Sequence, residues 1–251
     1  MKELQTEQQA AVLTVGNVAK LYCLNWIDAY LKGRTGEVSI LDLGCGTARN
    51  FVSLMRQYPN TRYVGVEPIE ASVREAERNL AGLNGTVIHA DAYDVQSKVH
   101  QTFDLVVSFS VLEHVYQREN FLRSARDSMK DGGSFLINYD AGHFMYPSRR
   151  ERITNVIGPI LARFGAQQYH QSFVHESEFQ GIIQRLGLKV IDAKFFNSGL
   201  KGIHKIVPKA HENEYMRRWL DLELWLNETG IVYDDSKARS FVTRNFILQR
   251  E

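Results

Sequence analysis

Four short stretches of the 251-residue chain set polar groups where an apolar run ends, and their types fit one kind of ligand. The run 41-LDLGCG-46 passes from leucine to an acid, Asp42, and on to two glycines, Gly44 and Gly46. Glycines let a backbone come close to a ligand, and the N-terminus of a following helix offers unpaired N–H groups. Glu67 closes the next apolar run, 21 residues beyond Gly46, where a carboxylate can accept from both hydroxyls of a ribose. Asp91 closes the third and can accept a hydrogen bond from the amino group of an adenine. Ser108-Phe109-Ser110 follows the fourth and faces whatever part of the ligand remains. Each acid alone is an ordinary solvated strand cap; jointly they describe a ligand with adenine, ribose and a short polar tail.

The elements that must position these groups alternate. Strand runs are read at Val38 to Leu43, Arg62 to Val66, Thr86 to Ala90, Phe103 to Phe109 and Ser134 to Tyr139. Helical spacing lies between them, at Asn50 to Gln57, Ala71 to Leu83 and Glu113 to Met129. A further helix (Glu176 to Leu186), a sixth strand (Leu188 to Phe196) and a closing β-rich segment (Phe241 to Leu248) follow. Continuous apolar strands separated by helices indicate a parallel sheet covered on both faces, so the fold class is α/β and doubly wound. In such sheets ligands sit beyond the carboxyl ends of the strands, where the four stretches lie.

Composition excludes several classes. Apolar residues at 44% and charged residues at 24% are globular values. A net charge of +1, from 30 basic and 29 acidic side chains, gives no global attraction to nucleic acid or an anionic surface. No apolar run reaches membrane-spanning length, and the polar start MKELQTEQQA lacks a signal-peptide core, so a cytoplasmic protein with no membrane partner is expected. Cys23 and Cys45 make no disulfide framework, and no residue cluster has metal-ligand spacing, so no metal is expected. A dinucleotide fingerprint would need glycine three places after Gly46, where Arg49 stands.

The motifs LDLGCGTARN (41–50), YVGVEP (63–68), HADAYD (89–94), FDLVVSFSVLEHV (103–115) and MKDGGSFLI (129–137) come in an order and spacing that resembles the class I S-adenosylmethionine-dependent methyltransferases, in the branch with many small-molecule enzymes. The resemblance implies a mostly parallel seven-stranded sheet whose antiparallel last strand, FVTRNFIL, is inserted at the sheet edge. It implies S-adenosylmethionine as cofactor. Asp42, Gly44 and Gly46 would approach the methionine part, Glu67 the ribose, Asp91 and Ala92 the adenine, with Ser108 and Phe109 near the sulfonium. The chain departs from the family pattern at Ala48, commonly glycine, and at Asp131, commonly proline.

The whole chain is read as a single domain, 1–251, with a leading helical lid (1–36) and substrate-side insertions at 141–172 and 197–240. Acceptors that must lose a proton need a base, and 138-NYDAGHFMYPS-148 offers His143 first, with a pKa of roughly 6.5 when unperturbed, and Tyr139, Asp140 and Tyr146 as alternatives. His114 is read as a pocket wall or helix start rather than the base, and His170 and His175 as structural residues. The turn Ser108-Phe109-Ser110-Val111 is not the Asn/Asp-Pro-Pro-aromatic turn of nucleic-acid base methylation, and no basic stripe marks a phosphate backbone. A small-molecule acceptor is therefore expected, and no nucleic acid. Alternatives are a protein or RNA methyltransferase and a non-catalytic cofactor-binding scaffold subunit. The oligomeric state is open, a dimer included.

Overall fold

The computed structural model describes residues 17–93, 95–141, 144, 149–166, 170–197, 199–233 and 240–251. Its centre is a seven-stranded sheet in the order β3-β2-β1-β4-β5-β7-β6. The strands are β1 (Val38–Leu43), β2 (Thr61–Glu67), β3 (Gly85–His89), β4 (Phe103–Phe109), β5 (Met129–Asp140), β6 (Leu188–Phe196) and β7 (Thr243–Arg250). The helices are α1 (Val18–Lys32), α2 (Arg49–Gln57), α3 (Glu70–Asn79), α4 (Gln96–Val99), α5 (Arg118–Asp127), α6 (Arg149–Arg163), α7 (Glu176–Arg185) and α8 (Glu212–Glu228).

Alternation along the strands loads both faces. Leu41, Leu43, Val106, Phe135 and Ile137 pack with Phe121 and Leu122 of α5 and Phe179 and Ile182 of α7. Ile40, Leu105, Val107 and Leu136 face the other way, onto Leu24 and Ile27 of α1, Phe51 and Leu54 of α2 and Ala76 of α3. All six residues of β1 are buried, as a central strand with two covered faces requires.

The last strand corrects one expectation. β7 is antiparallel but does not lie at the edge: it pairs with β5 through Phe135↔Leu248 and with β6 through Leu188↔Arg250. β6 is the outer strand, and α8 covers it. The Asn227 side chain accepts from the backbone N–H of Phe195 at 2.8 Å and donates to its carbonyl at 2.8 Å, as a neighbouring strand would. Glu223 of the same helix is fully buried and accepts from Trp219 Nε1 at 2.7 Å and from the Asn197 backbone at 2.8 Å. An edge strand finished in this way does not recruit other strands.

Other boundaries move. The helix expected from Glu113 to Met129 is a 3₁₀ turn, Leu112–His114, followed by α5. The insertion expected at 141–172 holds α6, and that at 197–240 holds two 3₁₀ segments, Gly199–Ile206 and Lys209–His211, before α8. α8 packs through Met216, Trp219 and Leu220 on Val18 and Leu21 of α1, so the leading helix and the second insertion share one apolar cluster. Among the described residues, no helix is long and apolar enough to cross a membrane.

Phe246 of β7 packs against Phe179 with ring centroids 4.7 Å apart and against Tyr139 at 6.0 Å. Phe246→Ala is expected to cost about 3–5 kcal/mol through the cavity it leaves. A denaturant midpoint shifted by less than about 1 kcal/mol equivalent would show that β7 is not part of the cooperative core.

Candidate functional site

The sheet order reverses between β1 and β4, and there the turns after the two strands approach closely. Gly44 has φ +77, and a Cβ built on it would lie 2.5 Å from Cγ2 of Val111. Only glycine fits between the end of β1 and the turn that follows β4. The glycine turn is then tied to β2. Gly44 and Cys45 both donate backbone N–H bonds to the Val66 carbonyl, at 2.8 and 3.1 Å. Gly46 donates to Glu67 Oε2 at 3.0 Å, while Ile69 donates to Oε1 of the same carboxylate at 3.0 Å. Glu67 is only 6% exposed, so these bonds form away from bulk water. Ala48 caps α2 with φ 56, in the left-handed region. That conformation costs a non-glycine residue about 1–2 kcal/mol, which explains why glycine is usual there.

Two cavities meet at Gly44. The smaller, about 210 Å³, is lined by Lys20, Asp42, Gly46, Arg49 and Phe109 among others. The larger, about 970 Å³, takes in Glu67, Asp91 and Ala92 together with His89, Ser110 and His114. Seven of the eight cofactor residues expected from sequence thus line one cavity or the other. Ser108 lines neither: it is fully buried, and its Oγ has no hydrogen-bond partner among the described residues. Strand alternation turns Phe109 toward α1 and α2, and its neighbour Ser108 toward the opposite face.

Ser110, beyond Ser108, reaches the larger cavity instead. Its φ of 59 is held by its N–H donating to Asn138 Oδ1 at 2.9 Å and to the Asn138 carbonyl at 3.1 Å. Lys20 was not expected. It sits on α1, whose only sequence signal was an apolar stripe, and tertiary packing brings it to the glycine turn.

The expected catalytic residues fare differently. His143 and Tyr146 lie outside the described residues. Tyr139 is 2% exposed, packed between Phe179 and Phe246, and lines neither cavity. Burial and Glu176 push its phenol pKa above the ordinary value, the opposite of what a proton acceptor needs. His114 does border the larger cavity. His170 lies within 2.8 Å of Ser172 Oγ, which Arg118 also holds at 2.7 Å. Burial and the Arg118 charge keep its imidazole pKa below the usual range.

Residues 40–133 match the family model described as a methyltransferase domain. A 4-amino-L-phenylalanine/4-methylamino-L-phenylalanine methyltransferase of Streptomyces pristinaespiralis is 32% identical over 33% of this chain and 28% of its own length. A ubiquinone biosynthesis O-methyltransferase of Methylobacterium nodulans is 26% identical over 62% of this chain and 61% of its own length. The chain therefore spans less than two thirds of each of these two relatives. A ubiquinone biosynthesis O-methyltransferase of a Shewanella species is 26% identical over 76% of this chain and 80% of its own length. The plantazolicin methyltransferase BamL, solved with a triazolic desmethylPZN analog and SAH, superposes with a TM-score of 0.58 at 14% identity, over 93% of this chain and 85% of that one. Residues 40–133 are a methyltransferase domain of the S-adenosylmethionine-dependent kind, carried on the sheet described above.

The family's cofactor, S-adenosylmethionine, fits the donor set. Its amino-acid end carries one ammonium and one carboxylate, and the smaller cavity offers Asp42 to the first and Lys20 and Arg49 to the second. Its adenosine end suits the larger cavity, where each oxygen of Glu67 keeps a lone pair after its backbone bond.

Asp42 is buried and accepts from Tyr63 Oη at 2.8 Å. Desolvation raises its carboxyl pKa to about 7, against the lowering effects of Tyr63 and Lys20, while Glu67 adds to the rise. A carboxyl raised in the folded state stabilises the fold while protonated. That contribution is whole below its unfolded pKa near 3.8 and is lost as pH climbs through about 7. Ionised Asp42 is the form that pairs with an ammonium. Binding of the demethylated cofactor, S-adenosylhomocysteine, should therefore tighten about tenfold between roughly pH 6 and 8, and Asp42→Asn should flatten the slope. Calorimetry at the two pH values checks this; a flat wild-type profile would contradict it.

Proposed function

We propose that the chain transfers the methyl group of S-adenosylmethionine to a small-molecule acceptor. What carries the reading is the meeting of two cavities at Gly44, one matched to an amino acid and the other to an adenosine. When bound, S-adenosylmethionine supplies a methyl group on a positive sulfur, with a neutral thioether as leaving group.

The residues of the chain bind and orient. Asp42, Lys20 and Arg49 hold the amino-acid end, Glu67 the ribose hydroxyls, and Asp91 with Ala92 the adenine edge. Phe109 and Ser110 wall the space between them and bring an acceptor into line with the methyl carbon. Holding reactants in line at near contact contributes up to roughly 7–11 kcal/mol in well-oriented systems, so little covalent help is asked of the protein. A relative matched over 80% of its length is named a ubiquinone biosynthesis O-methyltransferase, which favours a hydroxyl acceptor. A hydroxyl must lose its proton as the oxygen–carbon bond forms. His143, placed by sequence just after β5, is the proposed proton acceptor. Tyr139 is set aside because its hydroxyl is sealed in the core.

An extract of the source cells, incubated with the protein and methyl-labelled cofactor, should place label in the small-molecule fraction. Label confined to protein or RNA would overturn the proposal in favour of a macromolecular acceptor. No transfer into any fraction, with cofactor binding intact, would leave a scaffold subunit.

A further inference from the structure

The helix α6 is built inside out for a water-facing position. Its small residues point inward: Gly158 is buried, and Ala162 is 2% exposed. Its large apolar residues point outward. Ile153, Val156, Ile157, Ile160 and Leu161, with Phe164 one residue past its end, are between 39% and 85% exposed. At 100° per residue these six fall within one arc of the helix, a continuous apolar stripe. A face of this size and continuity marks a surface that something covers.

Charge indicates what covers it. Arg149, Arg152 and Arg163 are exposed, and none has an ion-pair partner among the described residues. Arg152 and Arg163, eleven positions apart, flank the same edge of the stripe. Glu151 is the helix's acid. A second copy would meet this face about a two-fold axis, setting Arg149 and Arg152 of one helix beside Arg163 of the other with little acid to offset them. An anionic phospholipid surface offers the opposite: acyl chains for the stripe and phosphates for the arginines.

The placement also has a use. Phe164 is held in a turn by its N–H bond to the Leu161 carbonyl, and Gly165, the next residue, lines the larger cavity. The apolar stripe thus ends at the rim of the cofactor site.

We propose that α6 lies in the plane of an anionic phospholipid membrane, with its apolar stripe among the acyl chains and its arginines on the phosphates. The helix is too short and too charged to cross a bilayer, so the absence of a spanning helix among the described residues does not conflict with this. Such binding departs from the expectation, drawn from the net charge and the lack of a spanning run, that no membrane is a partner. It does not depend on which acceptor is methylated.

Sedimentation of the full chain with vesicles tests it. Vesicles of mixed phosphatidylcholine and phosphatidylglycerol should carry the protein down; phosphatidylcholine alone should do so several-fold less. The paired change Ile160→Glu and Phe164→Glu should weaken vesicle binding at least about tenfold, with the melting temperature and S-adenosylhomocysteine affinity unchanged. Arg152→Gln with Arg163→Gln should remove the preference for anionic lipid, as should high salt. Failure to sediment with the anionic vesicles, or unchanged binding by the glutamate pair, would overturn the proposal. So would a wild-type dimer that the glutamate pair dissociates, which would assign the stripe to a second copy.

Discussion

One carboxylate holds the site together. Glu67 reaches from the end of β2 to accept the N–H of Gly46 with one oxygen and that of Ile69 with the other. Charge-assisted bonds of this kind are worth roughly 1.5–3 kcal/mol each away from water. The two glycines of the turn have no side chains to pack, so its conformation is set by these bonds, by the buried Cys45 and by the Val66 carbonyl, which takes the N–H groups of Gly44 and Cys45. The same carboxylate that shapes the turn is left with lone pairs toward the larger cavity. The turn and the proposed ribose contact thus draw on a single group, and a change there acts on both.

The rest of the fold keeps that carboxylate and the turn in register. β1 is paired on both sides, with β2 from Val38↔Thr61 to Leu43↔Val66 and with β4 through Ile40↔Leu105, and it is buried along its whole length. A slip by one residue would turn Asp42 from its cavity into the core on the other face. Gly44 against Val111 then brings the β1 and β4 turns closer than any other residue pair would allow. Farther out, β7 between β5 and β6 closes the sheet, and Asn227 and Glu223 of α8 satisfy the outer strand. These distant contacts serve the site by leaving the inner strands no alternative pairing.

The strand-end groups were legible in the sequence because a continuous apolar run has one end, and the polar residue there has one direction to face. Asp42, Glu67 and Asp91 were found in this way, and the seven-stranded α/β plan with them. What escaped depends on facts a linear pattern does not hold. Ser108 and Phe109 are neighbours, and alternation can bring only one of them to a given crevice; the sequence offered no means of choosing. Tyr139 follows the same rule one strand over, facing Phe179 and Phe246 in the core. Lys20 reaches the glycine turn only because α1 packs across the sheet face, a contact between segments with no shared periodicity. β7 read as an antiparallel strand, but at the sheet edge rather than between β5 and β6, since pairing partners 47 to 113 residues away leave no local trace.

That the Glu67 carboxylate both closes the glycine turn and receives the cofactor's ribose can be checked by calorimetric titration of S-adenosylhomocysteine into the wild type and Glu67→Ala. Affinity should weaken between about tenfold and a hundredfold, and the melting temperature should fall as well, since an alanine side chain accepts neither turn N–H. Equal affinities in the two proteins would contradict it.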